Sequence, residues 1–233
     1  YSNYNASIGY FNSVAIDCVV FVFMLLAGVN FALYYELFRG RFRQVYHDTE
    51  LRTYLLCLFI GSAIVSACIW HRSIVFTTGM EDMSVTTGFA TVDFEQWPFL
   101  PKFVLVALMF VGGCAGSTGG GVKVIRLLIA AKVMIAELEL IFRPNVVRPM
   151  RIGSTSISPD IRRTTLVYLL GIVILFFAGA VALMVFESGR GSDFATAATA
   201  SAATLNNIGP GLGRVGAIEN FNWFSPASKL LMC

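Results

Sequence analysis

The sequence predicts an all-α integral membrane protein built from repeated helix–loop–helix units, and three observations carry that expectation. Hydrophobic residues make up 56% of the 233-residue chain and charged residues 13%, with a mean hydropathy of +0.71, too little polar surface to coat a soluble globule. Four apolar runs, residues 14–38, 51–70, 99–114 and 164–186, contain stretches near the ~20 residues that a helix needs to cross a bilayer. Between some of them lie short segments rich in glycine and threonine that must start and finish on the same side of the membrane.

A helical soluble core would show a polar stripe every turn, and residues 19–27 and 167–185 show none. The chain opens on polar residues 1–7 without a basic start or small-residue cleavage site, so an internal start is expected rather than a signal peptide. Cys18, Cys57, Cys68, Cys114 and Cys233 form no CxxC pair and read as small apolar fillers. His47 and His71 stand apart without ligand-like neighbours, which argues against a bound metal centre. Net charge is only +3, but its distribution is informative. Arg39, Arg41, Arg43 and Arg52 flank one connection, and Arg143, Arg148, Arg151, Arg162 and Arg163 flank another. Glu81, Asp82, Asp93 and Glu95, then Glu187, Asp193 and Glu219, mark the connections between. The arginine-rich connections are therefore expected in the cytoplasm and the acidic ones outside. No aromatic interleaving accompanies these arginines, so nucleic acid is not an expected partner.

Taken in order, residues 1–50 read as the exit and second helix of one unit, with the helix at 14–38 running inward. Residues 51–142 read as the next unit. Its first helix, 51–70, runs outward; a weakly polar loop at 83–91, MSVTTGFAT, dips in and returns; a final helix, 102–142, runs inward across a glycine-rich interruption at 112–121. Residues 143–163 form a cytoplasmic connection. The last unit, 164–233, is truncated: its helix 164–186 runs outward, and Asp193 is the expected N-cap of a half-helix at 194–204. Roughly eleven residues cannot cross ~30 Å of hydrocarbon. The next segment, LNNIGPGLG at 205–213, is irregular, and such backbone survives at membrane depth only where it lines a watery cavity or is buried in protein. Similar aromatic and polar exits come after both loops, FEQWP at 94–98 and FNWFSP at 221–226, and IGYFNS at 8–13 resembles a third. Proline or serine there suits the first turn of the outgoing helix.

Rings of backbone carbonyls can replace the hydration water of a monovalent cation without holding it too tightly. Glycine assists because it adopts positive φ freely and lets successive carbonyls turn toward one axis. On this basis Thr86, Thr87, Gly88 and Phe89 are candidate ligands in the first loop. Asn206, Asn207, Ile208 and Gly209 are candidates in the second, ahead of Pro210 and Gly211. Taken alone, TTGF fits an extracellular turn equally well. In GGCAGSTGGG each glycine costs a helix ~1 kcal/mol, so Gly112, Gly113, Gly116, Gly119, Gly120 and Gly121, with Ser117 and Thr118, should unwind the chain inside the bilayer. The unwound segment is a candidate gate; close helix packing through small residues is the alternative. It is not a phosphate loop, because Val122, Lys123 and Val124 follow Gly121 where that motif requires lysine and then serine or threonine. No nucleophile and base pair stands at a recognisable spacing, so an enzyme is not expected. Lys123 and Arg126 either bias cation occupancy or sit at the inner side of the helix.

At residues 112–126, GGCAGSTGGGVKVIR, and 203–213, ATLNNIGPGLG, the chain resembles the Trk/Ktr/HKT superfamily of potassium transporters, in particular its bacterial Trk-type pore subunits. The resemblance spans nearly the whole chain. It implies four potassium-channel-like helix–pore-loop–helix units around a pseudo-fourfold pore in the bacterial inner membrane, with potassium as cargo and no organic cofactor. Gly88 and Gly209 match two of the family's four filter glycines, and residues 112–121 match its intramembrane gating loop. The family further implies a homodimer, contact with membrane lipid, and a cytoplasmic nucleotide-binding regulatory subunit of the TrkA type, which the arginines of 143–163 could meet. The first unit, most of the second and the last helix of that pattern have no counterpart in these residues. The expectation is therefore an incomplete pore drawn from a longer polypeptide.

Overall fold

The computed structural model describes residues 11, 13–70, 95, 97–143, 150–153, 155–216 and 219–233. Their elements are α1 (Val14–Ala27), α2 (Phe31–Phe38), α3 (Phe42–Tyr46), α4 (Thr49–Trp70), α5 (Phe99–Met109), α6 (Val124–Phe142), a two-residue antiparallel hairpin β1 (Arg151–Ile152) and β2 (Thr155–Ser156), α7 (Pro159–Phe186), α8 (Phe194–Leu205) and α9 (Pro226–Met232). Short 3-10 turns at Gly213–Val215 and Phe221–Trp223 precede α9.

Among the described residues two helices are long and apolar enough to cross a membrane, α4 over Thr49–Cys68 and α7, or three spans if the bent pair α1 and α2 counts as one. The 28 residues of α7 reach about 42 Å at 1.5 Å per residue, more than the hydrocarbon alone. Its charged first turns therefore extend into the headgroup layer. α7 starts five residues before the predicted 164. Ser158 caps it by accepting from the Ile161 N–H at 3.4 Å, Pro159 occupies the first turn, and Asp160 stands next at the positive end of the helix dipole. The predicted cytoplasmic connection thus contains the hairpin and the start of a helix; residues 144–149 and 154 lie outside the described residues.

The single helix expected at 14–38 is two. α1 and α2 meet at a bend of 95°, with the break at Gly28, Val29 and Asn30. A side chain on Gly28 would collide with the ring of Tyr54. The Gly28 carbonyl accepts instead from the N–H of Cys114 at 2.9 Å, and Asn30 caps α2 by accepting from the Ala32 N–H at 2.9 Å. Both halves are apolar, so hydropathy carries no trace of the break.

α8 lies at the centre of the fold, and every residue from Thr196 to Ala203 is buried. Its small side chains let α7 approach closely, as lipid-embedded packing favours. A Cβ on Gly179 would stand 2.6 Å from the Ser201 hydroxyl, which donates to the Phe176 carbonyl at 3.1 Å. On another side, Val65 of α4, Trp97, Leu105 and Met109 of α5, and Ala202, Ile208 and Leu212 form one apolar cluster. The irregular chain after α8 is thereby held between α8 and α5.

Candidate functional site

Two irregular segments meet in the interior. The first comes directly after α8. Asp193 caps that helix as predicted, accepting from the Thr196 N–H at 3.1 Å, and the helix ends at Leu205, one residue beyond the expected 204. Its last carbonyls are taken by the next turn: Ala202 accepts from both the backbone N–H and the side-chain amide of Asn206, at 3.0 and 2.9 Å, and Ala203 accepts from Ile208 at 2.8 Å. Asn207 then has φ 55° and Gly209 φ 115°, both in the left-handed region that ordinary residues avoid. The chain returns along α8, where the Thr199 hydroxyl accepts from the Leu212 N–H at 2.9 Å and the Thr196 hydroxyl from the Arg214 N–H at 3.3 Å.

The result is a turn whose amides are largely spent and whose carbonyls are not. None of the carbonyls of Asn206, Asn207, Ile208 or Gly209 accepts a hydrogen bond from a described residue, although Asn206 and Ile208 are buried. Unpaired buried carbonyls cost free energy unless something else satisfies them. They also stand at the C-terminal end of α8, where the helix dipole is negative. A cavity of about 430 Å³ lined in part by Asn207, Ile208, Gly209 and Phe221 opens beside them.

The second segment joins α5 to α6. The Gly112 N–H donates to Val122 at 2.9 Å and the Val122 N–H to Phe110 at 3.3 Å, so the chain enters and leaves side by side and everything between is an excursion. Gly116 and Gly121 have φ of 69° and 72°. This segment is stitched to the break between α1 and α2: Cys114 donates to Gly28, Thr118 donates to Ala27 at 3.2 Å, and Phe31 donates to Gly116 at 3.2 Å. Lys123, just past the loop, donates through its ammonium to the carbonyls of Ser117 and Gly119. The Arg126 guanidinium stacks 3.8 Å from the centre of the Tyr168 ring. Gly120 lies against the first segment so closely that a side chain there would collide with the Asn206 carbonyl. At Gly112, Gly113 and Gly120 the missing side chain lets backbone approach backbone.

Thr86, Thr87, Gly88 and Phe89, with the rest of the 83–91 loop, lie outside the described residues, as does most of the 8–13 exit. Glu95, four residues past the 83–91 loop, reaches the segment after α8. Its carboxylate accepts from the Gly213 N–H at 2.9 Å and from Lys102 at 3.0 Å.

Sequence reasoning missed two carboxylates. Glu50, in the first turn of α4, is buried and accepts from the Ala115 N–H at 2.6 Å. Glu187, at the end of α7, is fully buried and accepts from the Ser225 N–H at 2.8 Å and the Ser228 hydroxyl at 2.6 Å, fastening α9 at its capped start. Burial raises the Glu187 carboxyl, but the bonds from Ser225 and Ser228 and the nearby Arg190 outweigh it and hold the group below the usual carboxylate range. Asp193 is likewise held low, chiefly by its bond with Thr196. The only signal for Glu50 is an acid opening an apolar run among arginines; its partner lies 65 residues away.

Apolar spans, a buried half-helix and two abutting irregular loops define a helical membrane protein with a candidate interior site made of backbone. The TrkH family model, described as a cation transport protein, matches residues 58–233, and the chain belongs to that family. It is 32% identical over 242 residues to the Trk system potassium uptake protein TrkH of Escherichia coli strain K12, covering 100% of this chain and 49% of that protein. It is 35% identical to the TrkH of Halomonas elongata over 228 residues, 93% of this chain and 46% of that one. The crystal structure of the potassium transporter TrkH from Vibrio parahaemolyticus superposes with a TM-score of 0.86 at 29% identity, over 100% of this chain and 51% of that chain. The chain spans about half the length of the relatives it matches.

Proposed function

We propose that this chain forms part of the pore subunit of a Trk-type potassium uptake system in the bacterial inner membrane, moving ions rather than catalysing a reaction. The observation that carries this is the set of unpaired carbonyls from Asn206 to Gly209 at the negative end of α8. They offer a dehydrating potassium ion oxygen ligands for which no donor among the described residues competes. Thr86, Thr87, Gly88 and Phe89 supply the matching ligands of the neighbouring unit, in a pseudo-fourfold ring completed by units outside this chain. The 112–121 loop, seated against Asn206, closes the pathway. Potassium is cargo and no organic cofactor takes part. The arginine-rich cytoplasmic connections meet a TrkA-type nucleotide-binding partner and lipid headgroups, and the subunit works as a homodimer.

The test is rubidium flux into liposomes carrying the full-length polypeptide, with potassium, sodium and choline as competitors. Potassium should compete and choline should not. Gly209→Ser should fold, because a Cβ at Gly209 meets no described residue within 4 Å, but φ 115° strains any other residue and should turn the carbonyl aside. Its rubidium-over-sodium preference should fall. An unaltered preference at full activity would remove these carbonyls from the pathway.

A further inference from the structure

Besides its backbone bonds to the break between α1 and α2, the loop at 112–121 is held by two side chains. Lys123 grips it from within its own segment. The other hold comes from a different element: the Glu50 carboxylate, at the cytoplasmic end of α4, accepts from the Ala115 N–H at 2.6 Å. That carboxylate is placed firmly. Asp48 caps α4 by accepting from the Leu51 N–H at 2.7 Å, and Arg52 is bonded to the Tyr46 carbonyl at 2.7 Å and to His47 at 2.9 Å. A groove of about 660 Å³, lined in part by His47, Asp48, Glu50, Ile125, Gly153 and Ile157, leads to it past the hairpin.

We infer that Glu50 is a positioning residue for the closed loop: it tethers Ala115, and so ties the turn between α3 and α4 to the seat of Gly120 on Asn206. This rests on the loop's role as the gate. A carboxylate accepting a backbone N–H makes a stronger bond than a neutral acceptor, and its donor stands in the middle of the excursion. Breaking that bond removes the hydrogen bond between α4 and the loop, while the backbone bonds of Cys114, Thr118 and Phe31 across the break between α1 and α2 remain. A rigid turn with exposed Arg43, Tyr46 and His47 is then the place where a cytoplasmic contact acts on the loop, by drawing Glu50 away.

The tether has a length requirement, which makes it testable. In the full-length polypeptide with Cys114 as the sole cysteine, the rate of thiol modification reads the loop's position, because Cys114 is fully buried while the loop is seated. Glu50→Gln keeps an acceptor oxygen at the same reach and should label nearly as slowly as the parent. Glu50→Asp keeps the charge but is one methylene too short, and Glu50→Ala has no acceptor. Both should label about tenfold faster, the change expected from losing a hydrogen bond to a charged group. Should Glu50→Ala not fold, the Asp and Gln pair carries the comparison alone. Labelling of Glu50→Asp at the parent's rate, or of Glu50→Gln as fast as Glu50→Asp, would overturn the tether. Rubidium flux separates this from the gate itself: fast labelling with raised flux supports both, whereas fast labelling with unchanged flux keeps the tether and removes the gate.

Discussion

Asp193, the cap of α8, and Glu187, which fastens the start of α9, stabilise those elements only while ionised. Each is held below its ordinary value, so each contributes stability above the unfolded-state pKa, about 3.9 for aspartate and 4.3 for glutamate, and loses it as pH falls through the lower folded value. The thermal midpoint of the purified protein should hold between about pH 7 and 5 and fall below about pH 4. A midpoint indifferent to that range would mean that neither carboxylate is held low. Asp193→Ala removes the cap of α8 and should cost about 1 kcal/mol near neutral pH, measured as a shift in the denaturation midpoint. Glu187→Ala should cost more, since it removes the buried carboxylate that accepts from both the Ser225 N–H and the Ser228 hydroxyl.

At the scale of elements, the 112–121 excursion is a small backbone assembly whose partners are mostly other backbone. Deleting residues 116–120 removes its contacts with Phe31, Lys123 and Asn206 together, and should raise rubidium flux measured without any regulatory partner. An unchanged closed state would show that the loop does not close the path. Gly120→Ala places a methyl group where the Asn206 carbonyl stands, and should raise the same flux by unseating one loop from the other. The half-helix and both glycine-rich loops were legible in the sequence because composition alone forbids regular structure at Gly112, Gly113 and 119–121, and because the short run of Ala, Thr and Ser after Phe194 cannot span. The break at Gly28 was not, because it exists only through Tyr54 and Cys114, which are remote in sequence. Glu50 was hidden for the same reason. The early start of α7 could have been read from Ser158, Pro159 and Asp160, which form a cap signature ahead of the apolar run.

For the whole molecule, the arginine pattern predicts that α7 begins inside and ends outside. Single cysteines at its exposed ends, Arg163→Cys and Ser188→Cys, check this in intact cells with a membrane-impermeant maleimide. Ser188→Cys should label directly and Arg163→Cys only after permeabilisation; the reverse would invert every connection. The absent side chain at Gly120 has a kinetic meaning at this scale. Where Gly120 meets the Asn206 carbonyl the glycine brings no rotamer to freeze and no apolar side chain to separate, so under the proposed gating role the contact would obstruct without adhering. Dwell times in single-channel records would then follow the strength of the holds at Ala115, Ser117 and Gly119, and the seat itself would set only whether the path is shut.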